Sequence, residues 1–172
     1  METVLVSLVT IGLIIVSTLT MLTSSFHVAT TLSDSWKKME VNASSIARTF
    51  ILATPPSNYI GGNIILTLQN EGATNLEGFP SWDVIAAYQE GGVEYLVYTT
   101  NYPPGSNEWT VEGIYMPGGS PEVFDPGILN PGEEMKTEIC LSPEVSENET
   151  VRITISAPNG VTSQSLITRL PP

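Results

Sequence analysis

Within its first 54 residues the chain has no proline and a single glycine, Gly12, although it holds 13 prolines and 14 glycines in all. Charge is missing there too: from Thr3 to Ser33, a run of 31 residues, no Asp, Glu, Lys or Arg occurs. The first absence excludes a segment of turns and short strands, which need those two residues at their corners. The second excludes an ordinary surface helix, whose solvent face carries charge. Both fit one unbroken helix in apolar surroundings, and the run exceeds the roughly 20 residues that cross a bilayer.

Other absences narrow the chemistry. The one cysteine, Cys140, cannot form an intrachain disulfide, and the one histidine, His27, lies in the helical segment away from any nucleophile-like turn. A Ser–His–Asp or Cys–His triad and a Cys/His zinc site are excluded by inventory. No P-loop and no G-x-G-x-x-G is present, so the chain reads as a non-enzyme without a cofactor. Six Lys and Arg oppose 18 Asp and Glu, giving a formal charge of -12. Glu2, Asp34 and Glu40 cancel Lys37, Lys38 and Arg48, so residues 55–172 hold the whole excess. That leaves no basic stripe for nucleic acid and describes a well-solvated acidic head. Glu122, Asp125, Glu133 and Glu134 could gather around Ca²⁺ through oxygen ligands, but no EF-hand spacing is present and solvated loops explain them equally well; no metal is assigned. Cys140 stands between Ile139 and Leu141 and reads as a small buried hydrophobe.

From Val4 to Leu22, thirteen of nineteen residues are Val, Leu, Ile or Met, and the rest are Gly12 with Ser and Thr. Small hydroxyl residues let helices approach closely and satisfy themselves on the preceding turn's carbonyls. Beyond that run Ala29, Leu32, Trp36, Met39, Ala43, Ile46 and Phe50 alternate spacings of three and four, an a/d seam. Traced backwards, the same register meets Leu22, Ile15, Ile11, Leu8 and Val4, interrupted by Thr18 and Ser25. The helix is therefore expected from about Val4 to Phe50, with Pro55 and Pro56 as its stop. Such a seam serves to join helices or to dock on the chain's own second domain.

After residue 54 the pattern changes to short alternating runs with turn residues between them. Strands are expected at 63–69, 84–89, 93–100, 108–115, 135–141, 150–156 and 161–170, with Val151, Ile153 and Ile155 facing inward. Glu90-Gly91-Gly92 and Pro158-Asn159-Gly160 read as hairpin turns. The fold expected is α+β: a long N-terminal hydrophobic helix, residues 1–54, followed by an immunoglobulin-like antiparallel β-sandwich, residues 55–172. Asn42-Ala43-Ser44 and Asn148-Glu149-Thr150 are N-x-[ST] sequons, so Asn42 and Asn148 are candidate glycosylation sites.

This architecture resembles the archaellin and type IV pilin-like superfamily. The opening Met1-Glu2-Thr3-Val4-Leu5-Val6-Ser7-Leu8 is similar to that of archaellins and the related archaellum stator proteins. So are Val151-Arg152-Ile153-Thr154-Ile155 with Ala157-Pro158-Asn159-Gly160-Val161, Asn70-Glu71-Gly72-Ala73-Thr74 and Asn130-Pro131-Gly132-Glu133. The resemblance implies a basic leader removed by a prepilin-type peptidase, with Met1 as first mature residue or initiator, and an assembly motor. It also implies a membrane-held stage, then self-assembly through stacked helices. Leu5 stands where bacterial type IV pilins carry glutamate, which favours an archaellin-like relative. The function expected is a structural subunit of an extracellular, archaellum-type motility filament, with the twelve seam residues from Val4 to Phe50 as its assembly surface. The alternatives are a membrane-anchored stator-like or cell-surface binding protein and an adhesive pilus subunit.

Overall fold

The computed structural model describes residues 2–56, 59 and 61–172, Glu2 by its backbone only; Met1 lies outside the described residues. Its elements are α1 (Glu2–Arg48), β1 (Ile51–Thr54), β2 (Ile64–Asn70), β3 (Leu76–Glu77), β4 (Asp83–Tyr88) and β5 (Gly92–Tyr98), then β6 (Glu108–Tyr115), β7 (Ile128–Leu129), β8 (Glu134–Cys140), β9 (Thr150–Ser156) and β10 (Thr162–Thr168). They fall into two compact units, Met1–Ser44 and Ser45–Pro172.

The first unit is helix. With no proline to interrupt the ladder, α1 continues for 47 residues, about 70 Å at 1.5 Å per residue. Its hydroxyls would otherwise compete for backbone groups; instead they bond to carbonyls one turn back. Thr10 Oγ1 donates to Val6 O at 2.8 Å, Ser17 Oγ to Leu13 O at 2.7 Å and Ser25 Oγ to Met21 O at 2.8 Å. A polar side chain thereby becomes tolerable in apolar surroundings.

In the second unit eight strands are ordered β1-β2-β8-β6-β5-β4-β9-β10, and β3 pairs separately with β7. β5 links two halves of the large sheet. It is antiparallel to β4 from Tyr88↔Gly92 to Val84↔Leu96, then runs parallel to β6 at Val97↔Glu108 and Tyr98↔Trp109. All other pairings between these strands are antiparallel. At the far ends of the order, Ala53 N donates to Ser163 Oγ at 3.1 Å, so β1 and β10 approach each other. The sheet is thus folded over one core as a sandwich-like domain. Alternation fills that core: Leu66 and Leu68 of β2, Met135 and Ile139 of β8, and Val151, Ile153 and Ile155 of β9 are fully buried. Trp109 joins them with its ring edge-on to Tyr98, centroids 5.0 Å apart.

Three details differ from the sequence expectation. The helix stops at Arg48, well before Pro55, and Phe50 lies outside it. The cause is the next segment: Ile51 is buried, and residues 51–54 pair with Asn70 to Thr67 of β2 as an edge strand. Burial and pairing of this short stretch outweigh continuation of the helix. Cys140 is half-buried, not a core residue, because its neighbours Ile139 and Leu141 take the inward positions on either side. β3 and β7, two residues each, are too short to show a period.

Candidate assembly surface and its anchorage

The helix offers a large apolar surface to its surroundings. Val4, Leu8, Ile11, Ile15, Leu22, Leu32, Trp36, Met39 and Ile46 are all exposed, as are Ala29, Ala43 and, beyond the helix end, Phe50. Trp36 and Met39 each keep 70% of their surface exposed. In the first half of α1 the residues between the seam positions are equally apolar and exposed, among them Leu5, Val9, Leu13, Ile14 and Leu19. A helix hydrophobic all round belongs in lipid or in a bundle of other helices. In the second half Asp34, Lys37, Lys38 and Glu40 take up the remaining faces and leave a stripe. By length and composition alone the segment can cross a membrane, its most apolar window having a mean hydropathy of 2.4.

The end of this helix is built into the β unit. The last four carbonyls of an α-helix have no partner within it, and here neighbouring groups take over. Thr49 Oγ1 donates to Ser45 O at 2.9 Å, Thr49 N to Ile46 O at 3.2 Å and Ala73 N to Arg48 O at 2.7 Å. Phe50 O then accepts from both Glu71 N at 2.9 Å and Gly72 N at 3.1 Å. The contact is so close that a Cβ on Gly72 would lie 2.6 Å from Arg48 O and 2.6 Å from Phe50 N. From the β9–β10 hairpin, Asn159 Nδ2 donates to Thr49 Oγ1 at 2.8 Å and to Ser45 Oγ at 3.3 Å. Gly160, at φ +85°, supplies the positive angle that turns this hairpin.

Asn70 holds the clamp from behind. Fully buried, it donates through Nδ2 to Thr74 O at 2.8 Å and Leu129 O at 2.9 Å and accepts from Gly72 N at 3.1 Å through Oδ1. Its backbone exchanges bonds with the turn at 130–133, Asn70 N to Glu133 O at 3.0 Å and Gly132 N to Asn70 O at 2.7 Å. The buried Glu133 carboxylate is used locally, accepting from Asn130 N at 2.7 Å and Asn130 Nδ2 at 3.3 Å. Of the stretches quoted above for a resemblance, 70–74 and 157–161 therefore meet around the last helical turn, and 130–133 braces Asn70 behind it. Sequence reasoning gave them no such role; an Asn followed two residues later by Gly at a strand end was the available signal.

The acidic residues considered for Ca²⁺ are otherwise engaged. Glu122 Oε1 accepts from Phe124 N at 2.6 Å and Asp125 N at 3.3 Å, and these bonds hold its carboxyl below the usual range. Among the described residues no group of three or more His, Cys, Asp or Glu is placed to hold a metal ion. Burial, reinforced by Glu138, Glu144 and Glu108, pushes the Cys140 thiol up, away from the reactive thiolate. Asn42 is exposed within the helix; Asn148 is exposed in a turn at φ 62°.

The sequence matches no protein-family model and no curated protein. Solved structures do match. The archaellum of Methanospirillum hungatei strain JF1 aligns over 98% of this chain and 92% of its own, with a TM-score of 0.57 at 12% identity. Archaeal flagellin FlaB1 of Methanocaldococcus jannaschii aligns over 70% of this chain and 91% of its own, with a TM-score of 0.52 at 10% identity. The archaellum periplasmic stator protein FlaG of Sulfolobus acidocaldarius aligns over 69% of this chain and 99% of its own, with a TM-score of 0.52 at 24% identity. The fold is archaellin-like: one long N-terminal apolar helix followed by a mostly antiparallel, sandwich-like β domain.

Proposed function

We propose that the chain is a structural component of an archaellum-type assembly, and specifically a subunit of an extracellular helical filament formed by copies of itself. The observation that carries this reading is the helix: it is longer than a bilayer needs, apolar on every side through its first half and striped through its second. A match over 98% of the chain, helix included, to an archaellum chain supports it. In this reading residues 1–44 are the assembly helix, held in the membrane before assembly, and Ser45–Pro172 is the extracellular head. Leader removal by a prepilin-type peptidase, an assembly motor and glycans at Asn148 or Asn42 belong to the same proposal. Each helix contact contributes about 25 cal/mol per Å² of apolar surface removed from water, and repetition along a polymer makes the sum large.

The test is electron microscopy of material sheared from cells, with mass spectrometry of its major protein. Filaments built of this chain support the subunit reading. Leu8→Asp or Ile11→Asp should abolish them while the fragment 45–172 stays folded, and normal filaments from either variant would defeat the helix-packing argument. The second reading, a membrane-anchored stator-like protein, is favoured by the 24% identity to FlaG. Recovery in the membrane fraction, with none in sheared filaments, would select it.

A further inference from the structure

We propose that Val123 and Phe124 of one copy dock on the outer face of β5 and β4 of a second copy, with Asp125 set against Arg152. The inference rests on the self-assembly reading above and names the contact between heads. β5 carries apolar residues on both of its faces, Glu94 being the charged exception on the inner one. Leu96 is buried in the core, while Val93, Tyr95 and Val97 on the opposite side are 74%, 60% and 64% exposed. A strand apolar on both sides is one that is covered on both sides. Strand pairing extends this face, placing Val93 beside Ala87, Ala87 beside Arg152 and Arg152 beside Leu166. The other two cations of the β strands and C-terminal segment are engaged, Lys136 over the Tyr115 ring at 4.5 Å and Arg169 on Glu144 at 3.2 Å. Among the described residues the exposed Arg152 has no ion pair, although the domain around it is strongly acidic.

An occupant of this face should therefore be apolar at its centre and carry a carboxylate at its margin, and the chain itself bears such a group. In the loop after β6, Glu122-Val123-Phe124-Asp125 presents Val123 77% and Phe124 89% exposed between two acids. The pair is held out by its own flank, since Glu122 Oε1 takes the backbone N–H groups of Phe124 and Asp125. Loop tip and sheet face are different surfaces, so the contact is head to tail, the kind that extends into an open helix where the rotation between copies does not close a ring. Two loop side chains on one strand fall short of the roughly 1,200 Å² of a stable pair. Isolated heads should stay monomeric, and the contact should form where helices already align the copies.

The test uses the full chain with Cys140→Ser to remove the native thiol, and a short bis-maleimide as cross-linker. Single variants Pro126→Cys, next to the loop pair, and Thr154→Cys, on the outer face beside Ile85, keep the docking side chains and are examined alone and mixed. The mixture should give at least about tenfold more cross-linked dimer than either alone, because docking raises the local thiol concentration. The double variant should give a ladder. Adding Arg152→Asp should reduce the yield, and combining it with Asp125→Arg should restore it. Equal dimer from a single variant, or no dimer from the mixture, overturns the docking. If filaments still form in that last case, the subunit reading survives it; if the cross-links appear without filaments, the subunit reading is the one that fails.

Discussion

Asn70 carries the helix clamp on one buried amide. Asn70→Ala would remove the amide partner of the Thr74 and Leu129 carbonyls and leave the N–H of Gly72 with Phe50 O alone. Unsatisfied buried groups are costly, and the fragment 45–172 should lose about 2–4 kcal/mol in urea unfolding. A loss within experimental error would show that the amide is dispensable. Gly72→Ala tests the close approach itself. Its methyl group would meet two backbone atoms that cannot yield easily, so a destabilisation of about 1–3 kcal/mol is expected. Gly127→Ala, where nothing lies within 4 Å, serves as the control and should be near neutral. The buried Tyr59 and Tyr88 are both raised above the ordinary tyrosine value, burial being the main cause for each, with Arg169 opposing it at Tyr59. A raised pKa means that the folded state favours the neutral phenol. Their contribution is therefore complete below the unfolded value near 10 and is lost as pH rises through the higher folded values. Thermal melts of 45–172 should hold level from neutral pH to that point and fall above it.

Among the elements, β1 decides where the head can be cut. Residues 51–54 cover the outer edge of β2, and Ile51 enters the core. A fragment beginning at residue 57 would expose that edge and lose the clamp, so it should be less stable and more prone to associate than 45–172. Equal melting temperatures for the two would make β1 and the last helical turn passengers. The long elements were legible in the sequence because period and punctuation agreed. β6 and β9 lie at the expected bounds, and the hairpins at Gly91-Gly92 and Asn159-Gly160 connect the expected strands. The helix end was not legible, since Ile51 and Leu52 continue an apolar run that only tertiary pairing turns into a strand. The clamp was half visible: its turns could be quoted, but that Asn70, Gly72 and Asn159 converge on Ser45 to Phe50 depends on contacts distant in the chain.

At the scale of the whole molecule, charge opposes association. The formal charge is -12, all of it carried by residues 55–172. The screening length falls from about 30 Å at 0.01 M salt to about 8 Å at 0.15 M. One Asp125–Arg152 pair is small beside the repulsion of so many like charges, so added salt should raise the sedimentable fraction of the full chain. A fall over that range would mean that ion pairs, not apolar contacts, dominate assembly. The meeting of β1 with β10 through Ala53 and Ser163 bears on a different hazard. A protein displayed at the density of a polymer brings many sheets side by side, and free strand borders recruit one another into cross-β aggregates. Here each border faces the other within one molecule, so growth by strand addition is discouraged and ordered stacking is left as the easier route.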